Sequence, residues 1–259
     1  MQPNSLKRKL AAGDVVYGPF VNCSYGAMIE IVGLAGFDFA VIDMEHGPLA
    51  TQTAEDLCRA GQGAGLAPIV RVRKNDGPQI QRALDIGSAG VQIPQIETRA
   101  DAELAVRSAK YAPLGMRGLS YLTRAGEYGI HGTSGVTDLL NAEQIVIIHI
   151  EGVRGLENLA EIVQVPGLDV IFLGPYDLSQ SLGIPGQVED PRVTSGMQRA
   201  IEVIRRAGKW AGTFAGDAPT AQRWIDAGAQ YLAIGVDVGI FAAACRALKA
   251  SLDAAAGAR

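Results

Sequence analysis

Eight short runs of β-branched and aromatic residues recur along the chain, each followed by a stretch with helical spacing. The runs fall at residues 15–20, 39–43, 68–72, 89–93, 145–151, 170–173, 210–214 and 231–234. Helix-patterned segments lie between them, among them 53–63, 78–85, 99–110, 193–207 and 220–227. The runs are apolar rather than alternating, as expected of strands covered on both faces in a parallel sheet. Eight β–α units in 259 residues predict a single (β/α)8 TIM barrel domain over 1–259. A doubly wound open sheet is the competing topology. It carries fewer strands and wants a glycine-rich dinucleotide loop after the first, which GPFVNCSYG does not supply.

Composition narrows the partners. Hydrophobic residues make up 48% and charged residues 19%, enough apolar material for one large core. The net charge is −4 and basic residues cluster only in the opening LKRKL. Neither nucleic acid nor a membrane surface is therefore an expected partner. The N-terminal segment MQPNSLKRKLAAGD lacks the apolar core of a signal peptide. No run approaches the roughly 18 apolar residues of a membrane span. Cys23, Cys58 and Cys245 lie far apart without metal spacing, and are expected to be reduced thiols of a cytoplasmic protein.

Two segments depart from the simple repeat. After the helix at 99–110 comes PLGMRGLSYLTRAGEYGIHGTSG, part of a connection too long for an ordinary barrel loop. Such loops are usually functional or disordered, and this one is expected above the active-site mouth. The tail at about 239–256 reads as a final helix rich in small residues. It is expected to pack as an ordinary barrel helix, with packing on a neighbouring subunit as the alternative.

Chemistry-bearing residues sit where the runs end. In FDFAVIDMEHGPL, residues 37–49, an apolar core runs directly into Asp43, Glu45 and His46. Barrel enzymes draw catalytic groups from the C-terminal ends of different strands. Reading those ends in order gives His46, Arg71, Glu151 and Asp177. Glu151 closes the otherwise apolar IVIIHIE, so it must be paired, hydrogen-bonded or on a metal. Neighbouring strands bring Glu151 and Asp177 together, and two carboxylates suit a hard divalent cation such as magnesium or manganese.

Each residue also has a plainer role. Asp177 fits a helix N-cap, with Gln180 completing a capping-box spacing. Glu151 fits a salt bridge to Arg71. Arg71 and Arg73 share a face of APIVRVRKND, and one of them fits a purely structural ion. His46 fits a histidine satisfying backbone groups at a helix start. Taken together, the two carboxylates, the arginine and the histidine favour enolate chemistry. A cation and Arg71 would stabilise the enolate and His46 would move the proton. The loop GPYDLS adds backbone N–H groups at a helix start, suited to a substrate carboxylate.

The segments FDFAVIDMEHGP, APIVRVRKND, RALDIGSAGVQIPQI, YAPLGMRG, IVIIHIEGVRGLENL and DVIFLGPYDLS occur in order over nearly the whole chain. With them the chain resembles the HpcH/HpaI aldolase family. These are class II, metal-dependent pyruvate aldolases, such as 4-hydroxy-2-oxoheptanedioate aldolase and the 2-keto-3-deoxy-sugar-acid aldolases. The resemblance implies a barrel of the phosphoenolpyruvate/pyruvate-binding type and a homohexamer, a trimer of swapped dimers. It implies a divalent metal on Glu151 and Asp177, magnesium or manganese, with cobalt and zinc as alternatives. It implies that Arg71 holds the keto oxygen of pyruvate and that His46 is the acid/base, paired with Asp85. Backbone amides around Gly174, Pro175 and Tyr176 would hold the pyruvate carboxylate, and Phe214 would lie near the acceptor aldehyde. A solvated helix end is the plainer role for Asp85.

Two departures from the family pattern stand out. His149 replaces a glutamine common two residues before the metal glutamate. Strand alternation puts His149 on the face of Glu151, where it is expected to support the metal, hydrogen-bond pyruvate or fill the core. GLSYLTRAGEYG replaces a smaller run, and Tyr121, Arg124 and Tyr128 are expected to change which aldehyde fits. The expected reaction is reversible cleavage of a 4-hydroxy-2-oxo acid into pyruvate and an aldehyde. A Schiff-base aldolase needs a lysine inside the barrel. Lys7, Lys9, Lys74, Lys110, Lys209 and Lys249 all fall outside the predicted strands. An acyl-CoA lyase of the citramalyl-CoA type and a non-catalytic oxo-acid-binding barrel remain as alternatives.

Overall fold

In a computed structural model, which describes residues 4–257, eight parallel strands close into a barrel. They are β1 (Val16–Val21), β2 (Phe39–Asp43), β3 (Ala67–Arg71), β4 (Gly90–Ile93), β5 (Ile145–Ile150), β6 (Val170–Leu173), β7 (Trp210–Ala215) and β8 (Tyr231–Val236). Each pairs with the next, and β8 closes on β1 through Val16 opposite Tyr231. The predicted strands 39–43 and 170–173 match β2 and β6, and the others differ by a residue or two at their ends.

Strand alternation splits the apolar residues into two cores. One phase, including Val16, Phe20, Phe39, Val41, Ile69, Ile147, Phe172 and Tyr231, fills the barrel. The other, including Ile42, Val70, Ile93, Ile148, Ile171 and Leu232, meets the surrounding helices. The runs read as continuously apolar because both phases are buried. Room inside is made by glycine: a Cβ at Gly212 would stand 2.9 Å from the Tyr231 ring.

The floor of the barrel is closed by the helix Ser5–Ala12, in a segment whose sequence shows only its basic character. Asn4 caps it, accepting from the N–H groups of Leu6 and Lys7, and Gly13 ends it at φ 92°. Leu6 and Leu10, one turn apart on one face, are each 1% exposed within the barrel core. The lysines between them serve the rim: Lys7 pairs with Asp169 at 3.0 Å and Lys9 with Asp38.

The long connection lies at this same end. It follows the helix Arg99–Ala109, which descends from β4, and leads through the 3-10 turn Arg124–Gly129 and the helix Val136–Glu143 into the start of β5. The expectation that it lies above the active-site mouth is therefore corrected: a segment between a helix and the next strand belongs to the N-terminal mouth. Buried cations anchor it there. Lys110 Nζ donates to the carbonyls of Asn141 and Gln144 at 2.7 and 2.8 Å. Arg117 Nη1 donates to Gln144 Oε1 at 2.6 Å.

The last helix, Asp237–Gly257, is not an ordinary barrel helix either. Asp237 is its one buried residue, accepting from the N–H groups of Asn22 and Cys23 at 3.0 and 2.9 Å. Beyond it Val238, Ile240, Phe241, Leu248 and Leu252 are exposed.

Candidate active site

The phase that points Phe39 and Val41 into the barrel also turns Asp43 inward, and that of Ala67 and Ile69 does the same for Arg71. Register sets Asp43 beside Arg71 and Arg71 beside Gln92. Arg71 Nε donates to Asp43 Oδ1 at 2.8 Å and Nη2 to Oδ2 at 2.6 Å, a bidentate pair. Its Nη1 lies 3.1 Å from Glu45 Oε2, and its guanidinium stands 4.6 Å over the ring of Phe20. Arg73 is the structural member of the two arginines. It donates to Met44 O and Leu49 O at 3.0 and 3.1 Å and so holds the loop that carries Glu45 and His46.

His46 stands at the rim, its side chain 63% exposed and its Nε2 4.0 Å from Glu45 Oε2. Asp85 is elsewhere. It ends the helix Gly77–Asp85 at the N-terminal mouth, where Arg117 Nη2 donates to its Oδ1 at 2.5 Å. His46 and Asp85 therefore do not meet within one chain. Tyr121 and Arg124 lie at that far mouth as well, and Arg124 donates to Ile86 O and Gly87 O at 3.2 and 3.3 Å.

Glu151 follows β5 and is buried. Its Oε1 accepts the N–H of Gln95 at 2.8 Å and its Oε2 lies 3.0 Å from His149 Nδ1. The expected salt-bridge alternative is not what forms, because Arg71 is engaged by Asp43 and Glu45. Gln95 adopts φ 58°, a left-handed conformation that a non-glycine residue rarely takes. Across the barrel joint, Gly174 N–H donates to Ile150 O at 3.1 Å. A Cβ at Gly174 would stand 2.9 Å from Glu151 Cβ and 3.0 Å from Oε2, so glycine keeps the space beside the carboxylate open.

Asp177 lies in the first turn of the helix Pro175–Ser181, whose cap position is Gly174 and has no side-chain cap bond. The N-cap role is thus not taken up by Asp177. With the Gly174 amide engaged and Pro175 lacking one, the backbone donors for a substrate carboxylate narrow to Tyr176 and Asp177. Phe214 packs 5.8 Å from Tyr176 and 6.3 Å from Phe20 between ring centroids, forming an aromatic wall on this side of the mouth.

Electrostatics separate the carboxylates. Burial alone would raise the Asp43 carboxyl, but the Arg71 hydrogen bonds and charge hold it below its ordinary range. For Glu45, burial outweighs the attraction of Arg71. With Glu151, Asp43 and Asp177 nearby, its carboxyl is pushed up to about 7. Glu151 is also desolvated, yet His149, the Gln95 N–H and Arg71 hold it below the usual range.

Among the described residues, no group of three or more His, Cys, Asp or Glu side chains is arranged to hold a metal by itself. The mouth instead offers the Glu151 carboxylate beside the space that Gly174 clears, with Asp177 in the first turn of the helix that follows Gly174. That set fits a hard cation bound through one or two carboxylates, with water and substrate oxygens completing its shell. It does not fit a closed structural zinc site.

Sequence reasoning missed Phe20 and Gln95 at this mouth, and Gln92 and Tyr231 in the barrel core beneath it. A usable signal existed for Gln92 alone, a lone polar residue inside the short apolar strand AGVQI.

Comparisons place the chain. The model of the HpcH/HpaI aldolase/citrate lyase family matches residues 17–244. The chain is 37% identical over 249 residues to the 5-keto-4-deoxy-D-glucarate aldolase of Escherichia coli (strain K12), covering 95% of each. A crystal structure of an HpcH/HpaI aldolase/citrate lyase family protein from Burkholderia cenocepacia J2315 matches with a TM-score of 0.92 at 33% identity, over 96% of this chain and 99% of that one. The crystal structure of the citrate synthase SbnG matches at 0.86 and 36% identity, over 97% of each chain. Barrel and relatives agree: the chain belongs to the HpcH/HpaI aldolase/citrate lyase family and is a carbon–carbon lyase of the class II aldolase type.

Proposed function

We propose that the mouth binds pyruvate and an aldehyde, or the 4-hydroxy-2-oxo acid that joins them, with Glu151 and Asp177 holding a magnesium or manganese ion. The observation that carries this reading is the Asp43–Arg71–Glu45 cluster beside Glu151 and the open space at Gly174. When bound, the metal supplies Lewis acidity at the keto and carboxylate oxygens.

The chain's own groups do the rest. Arg71, clamped by Asp43, presents a permanent charge to the keto oxygen and to the enolate that develops there. Tyr176 and Asp177 offer their first-turn N–H groups to the substrate carboxylate. His46, exposed at the rim, takes the C4 hydroxyl proton as the C3–C4 bond breaks, and the enolate is then protonated at C3. Phe20, Tyr176 and Phe214 line the side on which the aldehyde leaves. The relative from Escherichia coli supports an acceptor derived from a sugar acid as the first class to screen.

Asp85, Tyr121 and Arg124 lie at the far mouth and can serve a site only in a neighbouring copy. The family resemblance supports that arrangement, a hexamer of swapped dimers, and the exposed apolar face of Asp237–Gly257 is available for it. The free cysteines Cys23, Cys58 and Cys245 support a cytoplasmic location.

Proton NMR of pyruvate in deuterated buffer tests the proposal without a guess about the aldehyde. The methyl signal is expected to disappear with enzyme plus magnesium or manganese, and to persist with chelator or in Glu151→Ala. Exchange that survives chelation, or survives Glu151→Ala undiminished, overturns the metal assignment. No exchange by a metal-loaded protein moves the weight to thioester substrates.

A further inference from the structure

His149 is 1% exposed, and its ring stacks on Phe172 with centroids 4.5 Å apart. It is linked at both nitrogens. Nδ1 lies 3.0 Å from Glu151 Oε2, and Nε2 contacts the side-chain nitrogen of Gln92. Gln92, itself fully buried, is joined in turn to Tyr231, whose hydroxyl donates to Gln92 Oε1 at 3.2 Å. Tyr231 is pinned in the barrel core by stacking on Phe39 at 4.1 Å.

This chain of contacts has one self-consistent polarity. The buried Tyr231 hydroxyl needs an acceptor for its proton, and Gln92 Oε1 is the partner it meets. That orients the Gln92 amide with its NH2 group, a donor only, toward His149. His149 Nε2 must then be the bare, accepting nitrogen, and the ring proton must sit on Nδ1, facing Glu151 Oε2. Turning the amide over would leave the Tyr231 proton without an acceptor. A doubly protonated ring would set two donors against each other at Gln92.

We infer that His149 is a positioning residue, locked by Gln92 and Tyr231 as the neutral Nδ1–H form, which fixes the Glu151 carboxylate for the cation. The inference rests on the proposed metal site. With the Gln95 N–H on Oε1 and the His149 Nδ1–H on Oε2, the carboxylate is gripped at both oxygens and its plane is set. One lone pair on each oxygen is left for the mouth. A partner of this kind behind a ligating group typically changes metal affinity by about 10–100-fold. The relay thus carries orientation from the middle of the barrel core to the ligand.

The test combines two readouts on the full-length protein. Nitrogen-15 NMR of the imidazole rings is tractable because the chain has 3 histidines, and His149→Phe identifies the signal. The expected wild-type pattern is a protonated Nδ1 and a bare Nε2, with mixed forms appearing in Tyr231→Phe. A wild-type ring protonated at Nε2, alone or together with Nδ1, overturns the relay.

Manganese binding is then followed by electron paramagnetic resonance of the free ion. His149→Phe keeps the stacking on Phe172 and is expected to weaken binding about 10–100-fold. His149→Asn places an amide nitrogen where Nδ1 was and is expected to recover most of that loss. Should His149→Phe fail to fold, His149→Asn and Tyr231→Phe still decide the matter. Equal affinity in wild type and variants overturns the role of His149 alone. A wild type that retains no manganese removes the metal reading and this inference with it.

Discussion

Glu45 shows how one carboxylate in a crowded mouth sets a pH dependence. Its folded-state carboxyl is pushed up to about 7, whereas an unfolded glutamate titrates near its ordinary value of about 4.5. Between those values the folded state holds more protons than the unfolded one, so stability falls as pH rises through that window. Removing the ionisable group with Glu45→Gln is expected to stabilise the metal-free protein by on the order of 3 kcal/mol at pH 8 and far less at pH 5. Thermal melts at the two values, with chelator present, check this. A gain of equal size at both pH values would contradict it. Asp43, Arg71 and Glu151 were legible in the sequence because each is a charge at the end of an apolar run. The groups behind them were not. Gln92 meets His149 across 57 residues and Tyr231 across 139, distances over which no local pattern carries information.

At the level of elements, strands were read well because both their faces are buried, and helices with proline at the start and aspartate before it announce themselves. Pro191–Arg206, capped by Asp190, is one such helix. The floor helix Ser5–Ala12 escaped because two leucines in a basic octet are too few to register as an amphipathic stripe. Its contribution is measurable. Leu10→Ala is expected to cost about 2–5 kcal/mol in urea unfolding while leaving the turnover number unchanged, since the substitution is at the opposite end from the chemistry. A loss of activity without loss of stability would contradict that separation. The mouth that the long connection occupies is set by its place between the helix Arg99–Ala109 and β5, about which its glycine and aromatic content says nothing.

The whole molecule exposes one feature that the sequence left undecided. The helix Asp237–Gly257 is anchored by Asp237 and then presents Ile240, Phe241, Leu248 and Leu252 away from its own barrel. Light scattering is expected to give a mass several times 27.2 kDa, and Phe241→Glu combined with Leu248→Glu is expected to reduce it. A wild type that runs as a monomer would contradict the assembly. The alternation that divides the inner from the outer core carries a different consequence. Asp43, Arg71, Gln92 and His149 are in the same phase as the residues that fill the barrel. A single-residue deletion within any of these strands would therefore swap the two phases together, turning a buried polar group toward a helix and an aliphatic one into the barrel. Descendants of this chain are free to rewrite their loops, but their strands can change only by substitution.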